Sequence, residues 1–167
     1  PQCGIIVGRR HLIDRIAKHP MMRAMRVDKT TLAGLAATLR LHRDPQRAQA
    51  SIPLLQLLTT SVENLQNRAE RLAPQLEACD AVESAVAKPE EAFLGGGSVP
   101  TQKLETWCVA ITPARHSADR LAAGLRKGTP AVVGRVQHDQ LLLDLRSVPP
   151  RDDQALVNAV RGLSPSD

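Results

Sequence analysis

Aromatic side chains are almost absent from this chain: among 167 residues there are one Phe, one Trp and no Tyr. A platform that stacks single-stranded bases on aromatic rings is therefore disfavoured. The core has to be assembled from Leu, Val, Ile and Ala. Cysteine is scarce too. Cys3, Cys79 and Cys108 are odd in number and far apart, which gives neither a disulfide framework nor a metal-ligand pair, so a reducing, cytoplasmic setting is the expectation. No apolar run reaches the roughly 18 residues of a bilayer crossing, and no basic-then-apolar leader is present; no membrane partner is expected.

Acidic residues are sparse in one region. Residues 1–50 carry ten Lys or Arg against Asp14, Asp28 and Asp44, a net +7, so the remainder carries a net −2 within the overall +5. Such asymmetry fits a polyanion, phosphate or nucleic acid, near the first third, and it equally fits solvated helix faces, the simpler reading from charge alone.

What is present reads as follows. The opening "CGIIV" has the apolar character of a strand from Cys3 to Val7, and Gly8 permits a turn. "RRHLIDRIAKH" puts Leu12, Ile13 and Ile16 on one helical face and ends at Pro20. Asp28 suits the N-cap of a helix from about Lys29 to Arg43, with Leu32, Leu35, Ala36, Leu39 and Arg43 on a face expected to be buried. "DPQRAQASIP" reads as a turn and a short helical piece, and Pro53 lets "LLQLL" begin again. Ser61 caps a long helix whose stripe is Val62, Leu65, Ala69, Leu72, Leu76 and Cys79, with Pro74 in conflict inside it.

Beyond Cys79 the period changes. "AVESAVA" and "WCVAI" read as strands, joined through "LGGGSVPTQ". "SADRLAAGLRKG" is a helix from Ser117 to Gly128, "AVVGRV" and "LLLDL" a hairpin around "QHDQ", and "DDQALVNAVRGL" a closing helix. Strand, strand, helix, strand, strand, helix implies an α+β sandwich with helices on one face of a mainly antiparallel sheet. The first 60 residues supply no partner strands for the opening one, and they read as the end of a larger α/β domain.

The motifs carry a family resemblance. Pro1, Gln2, "GIIVG" at 4–8, Leu12, Ile13, His19, Pro20, Arg23, Ala24, "RVDK" at 26–29, Thr31, Leu32 and "ATLRL" at 37–41 resemble the run found in bacterial L-seryl-tRNA(Sec) selenium transferases, the selenocysteine synthases. So do "IPLLQLLT" at 52–59, "RAERLA" at 68–73, "GGGSVPT" at 95–101 and "VVGRVQHDQLLLDLRSV" at 132–148. The resemblance runs through nearly the whole chain in order. Cys3, Thr60, Ser61 and Pro74 depart from it.

The resemblance implies a fold-type I enzyme using pyridoxal 5'-phosphate (PLP). Residues 1–60 would end its PLP-binding large domain, 61–79 would form a linking helix, and 80–167 a small α+β C-terminal domain. It implies seryl-tRNA(Sec) and selenophosphate as substrates and a homo-oligomer built as a ring of dimers, with a decamer expected. It also places the Schiff-base Lys upstream of Pro1, so the chain by itself is expected to be inactive. Two rivals stand beside it: a fold-type I enzyme of free amino acids, of the cysteine desulfurase or selenocysteine lyase kind, and a non-catalytic basic binding module.

By the same resemblance, Arg23 and Arg26 bind the phosphate of selenophosphate. Three residues apart, they face similar sides if the segment is helical, beside the helix start that Asp28 caps, and the guanidinium fork suits a tetrahedral oxyanion. Gln2, His19, Asp28, Gly96, Ser98 and Arg146 are weaker candidates for the same vicinity. Arg146 equally fits a structural ion pair with Asp144 or a terminal-helix Asp, His19 a structural turn, and Gly96 and Ser98 a flexible connection. Arg40, Arg43 and Arg47 are candidates for RNA or subunit contact. Cys79 and Cys108 read as inert core thiols.

Overall fold

The computed structural model describes residues 3–93 and 103–163, and within it the chain forms two compact units, residues 1–56 and 57–167. Gln2, Gly96 and Ser98 lie outside the described residues.

The first unit is helical. α1 (Arg10–Lys18) is amphipathic, as its sequence predicts. The four-residue α2 (Met21–Ala24) follows Pro20. α3 (Lys29–Leu41) begins at Asp28, which accepts from the backbone N–H of Thr31; it stops two residues short of the expected Arg43 because His42 caps it and the chain turns. α4 (Pro45–Ser51) is capped by Asp44, and α5 (Pro53–Thr59) restarts at Pro53 as read from the sequence.

Two expectations fail in this unit. Residues 3–9 form no strand, because extended backbone becomes a strand only by pairing and the first unit has no described strand to pair with; Val7 is 86% exposed. The α3 stripe is not buried either, since Leu32 and Leu39 are half exposed. Of the described residues up to 56, Ala48 alone is buried. So little enclosed apolar surface cannot offset the ordering entropy of 56 residues.

The second unit has the core the sequence predicts. α6 (Val62–Glu77) is capped by Ser61 and runs through Pro74. The proline forfeits only the bond its nitrogen would give to residue 70, and both positions are exposed, where water replaces it. α6 packs on β1 (Val82–Phe93) and β2 (Lys103–Pro113), which pair antiparallel with Ala85 opposite Ile111 and Ala87 opposite Val109. After α7 (Ala118–Lys127, capped by Ser117) come β3 (Arg135–Gln137), β4 (Gln140–Asp144) and α8 (Asp153–Arg161).

The sheet order is β1-β2-β4-β3, antiparallel at every pairing. Leu65, Leu72, Leu76, Val109, Ile111, Leu125, Leu141, Val157 and Val160 meet in one core. The β3–β4 turn is His138–Asp139, both at positive φ, the geometry of a two-residue hairpin loop. β3 is shorter than "AVVGRV", and the backbone at Gly134 just before it lies against β4, where a Cβ would stand 2.6 Å from Leu141 Cδ1 and 2.9 Å from the Leu142 carbonyl.

Candidate anion-binding site

His19 and Pro20 set the approach to the arginine pair. The backbone N–H of Met21 donates to His19 Nδ1 at 3.2 Å, and Arg23 N–H donates to the Pro20 carbonyl at 3.0 Å, closing the single turn of α2. Met25 ends that turn, and the chain then leaves the helix toward Asp28. Arg23 is thus helical and Arg26 is not. The shared helical face expected for them, conditional on helicity, is not formed; the two are joined by an irregular two-residue step. Both are exposed, and neither guanidinium has a hydrogen-bond or ion-pair partner among the described residues.

Asp28 is committed to α3. Its Oδ1 accepts from Thr31 N–H and its Oδ2 from Thr31 Oγ1, both at 2.8 Å. The backbone bond first, and the hydroxyl second, hold its carboxyl below the ordinary value. The capping contribution is therefore present above the unfolded pKa and disappears as pH falls through the lowered one. Because this carboxylate already occupies the start of α3, an anion here would rest on the guanidinium groups rather than on helix amides.

The methionines around Arg23 face another way. Met21, Met22 and Met25, the only methionines of the chain, line a cavity of about 680 Å³ with Ile6, Leu12, Arg15, Ile16 and His19. His19 belongs to that cavity; Arg23 and Arg26 do not.

Arg146 sits in the second unit, in a short 3₁₀ turn (Leu145–Ser147). Its buried guanidinium donates to the carbonyls of Leu57 at 2.9 Å, Thr60 at 3.1 Å and Glu105 at 2.6 Å. The ion pair foreseen with Asp144 is replaced by a backbone contact: Arg146 N–H donates to Asp144 Oδ1 at 3.0 Å, and Thr106 Oγ1 donates to the same oxygen at 2.7 Å. The terminal-helix carboxylate, Asp153, is taken by Arg68 and Arg71, each at 2.5 Å. Sequence reasoning missed that cluster, although Arg68 inside the apolar stripe of α6 was its signal.

Cys108 and Cys79 are both buried. Burial, reinforced by Asp144, pushes the Cys108 thiol up to about 12, and burial raises Cys79 as well. Both stay protonated and unreactive at neutral pH. Iodoacetamide under native conditions is accordingly expected to label the half-buried Cys3 and to reach Cys79 and Cys108 only after denaturation, as read by peptide mass spectrometry.

Residues 1–149 match the sequence profile of the L-seryl-tRNA selenium transferases. The chain belongs to that family. Among selenium transferases similar to it, the L-seryl-tRNA(Sec) selenium transferase of Hyphomonas neptunium is 41% identical over 161 residues, covering 96% of this chain and 35% of the relative. That of Moorella thermoacetica is 43% identical, covering 96% and 34%. That of Solidesulfovibrio magneticus is 47% identical over 151 residues, covering 89% and 32%. The chain spans about a third of the length of the curated selenium transferases it matches. The family match takes in the arginine pair and most of the sheet unit. No helix among the described residues is long and apolar enough to cross a membrane.

Proposed function

We propose that this chain is part of a cytoplasmic, PLP-dependent enzyme that converts L-seryl-tRNA(Sec) to L-selenocysteinyl-tRNA(Sec) with selenophosphate. The observation that carries this reading is the family match over residues 1–149, which includes Arg23 and Arg26. Arg23 and Arg26 bind the phosphate of the selenium donor. Two unpartnered guanidinium groups beside Lys29, opposed only by an Asp28 turned onto its own helix, supply the positive field and the forked donors such an anion needs.

Residues 1–60 belong to the fold-type I large domain, 61–79 link it to the sheet unit, and 80–167 form the small domain. The half-exposed apolar side chains of the first unit support this division, since a surface of this kind marks a contact with further protein. The whole enzyme is a homo-oligomeric ring of dimers.

The residues present do not fit PLP. Lys88 and Lys103 are paired with Glu90 at 3.0 Å and Glu91 at 2.6 Å, and Lys18, Lys29 and Lys127 are exposed at helix ends. A Schiff-base amine needs a desolvated setting, and none of the five is buried. The cofactor would be held by sequence that this chain does not span.

The test has two parts. Full-length protein is expected to form selenocysteinyl-tRNA(Sec) from seryl-tRNA(Sec) and selenophosphate, and to release neither sulfide nor selenide from free cysteine or selenocysteine. The isolated chain, incubated with PLP and borohydride, is expected to show no stoichiometric adduct at a single Lys by mass spectrometry. Such an adduct would refute the assignment of the cofactor to other sequence.

A further inference from the structure

We propose that the corner where α3 turns into α4 docks the phosphodiester backbone of the RNA substrate through Arg40, Arg43 and Arg47. This rests on the reading that the full-length protein acts on an aminoacyl-tRNA. The corner is tight: Arg43 N–H donates to the Arg40 carbonyl at 3.3 Å and Asp44 N–H to the Leu41 carbonyl at 3.2 Å. Arg40 and Arg43 are therefore a single turn apart, and Arg47 follows in the first turn of α4. All three are exposed, as is His42 between them. None of the three guanidinium groups has a hydrogen-bond or ion-pair partner among the described residues.

The corner has one carboxylate, and it is engaged elsewhere. Asp44 Oδ1 accepts from Gln46 N–H at 3.0 Å and Arg47 N–H at 3.2 Å, so it serves the α4 backbone rather than the arginines. The carbonyl end of α3 favours a cation in its last turn. That explains Arg40, but not three arginines spread over α3, the turn and α4. Two arginines of the second unit are treated differently: Arg68 and Arg146 are buried, and their guanidinium groups donate to protein carbonyls and, for Arg68, to Asp153.

The chemistry selects phosphodiester as the occupant. All three cations are arginines, whose fork matches phosphate oxygens, and the near absence of aromatics leaves no base-stacking surface. Binding would thus be independent of sequence and strongly dependent on salt. The corner lies at the opposite end of the 13-residue α3 from Asp28, about 20 Å at 1.5 Å per residue, so it is separate from the Arg23 and Arg26 site.

The experiment uses full-length protein carrying R40Q, R43Q and R47Q together, titrated with seryl-tRNA(Sec) at several salt concentrations. Affinity is expected to fall roughly tenfold or more, and the slope of log K against log salt to shrink by about 2–3 units, near one for each phosphate that the variant leaves unneutralised. Turnover at saturating RNA and the oligomeric mass stay unchanged. An unchanged slope overturns the proposal. So does a changed oligomeric mass, which would mean that the corner packs against protein. Wild-type protein that fails to bind seryl-tRNA(Sec) would overturn the functional reading itself, whereas binding by wild type with an unaltered slope in the variant overturns the docking surface alone.

Discussion

Replacing Asp153 by Ala is expected to lower the unfolding free energy of the chain by roughly 3–5 kcal/mol, the cost of breaking a buried ion pair from one side. Asp153 and Arg68 are only 4% and 6% exposed. The Arg68 guanidinium reaches Asp153 through Nε at 3.2 Å and Nη2 at 2.5 Å, and it also donates to the carbonyls of Leu145 at 3.2 Å and Val148 at 2.8 Å. One side chain of α6 therefore holds the start of α8 and the chain leaving β4. Without the carboxylate, Arg68 keeps its two carbonyls but buries an uncompensated charge, and Arg71 loses its partner at the rim. Urea denaturation followed by circular dichroism would measure the effect. Neutralising the exposed Lys103–Glu91 pair should cost about 1 kcal/mol or less, which calibrates the comparison. A loss below that for Asp153→Ala would show the network to be inessential. Joint replacement by apolar residues, Arg68→Met with Asp153→Leu, should recover part of the loss, since it leaves no buried charge without a partner.

The same cluster shows where sequence reading stops. Leu65, Ala69, Leu72 and Leu76 declare the buried face of α6 by their spacing, and Ser61, Ser117 and Asp28 declare helix starts, because caps and periodicity act within a few residues. The strand and helix order of the second unit is legible for the same reason. Arg68 lies on the same face as those leucines, but its partner is 85 residues away, and nothing local announces it. Arg146 is legible as an arginine after a strand; that its donors go to Leu57, Thr60 and Glu105 depends on tertiary packing. The opening "CGIIV" shows the converse limit: its residues favour a strand, yet a strand needs a neighbour, and none of the described strands pairs with it. In the site, the types and spacing of Arg23 and Arg26 are legible, while the break of helix between them is not, since a four-residue α2 has no periodicity to read.

Substituting Ala for both Arg23 and Arg26 in the full-length protein is expected to reduce kcat/KM for selenophosphate by roughly 10²–10⁴, on the basis of about 1.5–3 kcal/mol for each hydrogen bond to a charged group. The fold should tolerate the change, because both side chains are exposed and engage no described residue. The discriminating comparison is between substrates. Affinity for seryl-tRNA(Sec) should be retained within a few-fold if the pair serves only the selenium donor. Single variants should each lose part of the effect, and Lys in place of either Arg should restore some of it, since an ammonium keeps the charge but not the fork. Asp28→Asn is a control in the opposite direction: it keeps a capping oxygen for Thr31 and removes the negative charge beside the pair, so donor affinity should rise modestly. Unchanged donor kinetics in the double Ala variant, with intact folding by circular dichroism, would remove the arginine pair from the selenium site. The unpaired charge of the first unit would then belong to RNA or to another part of the enzyme.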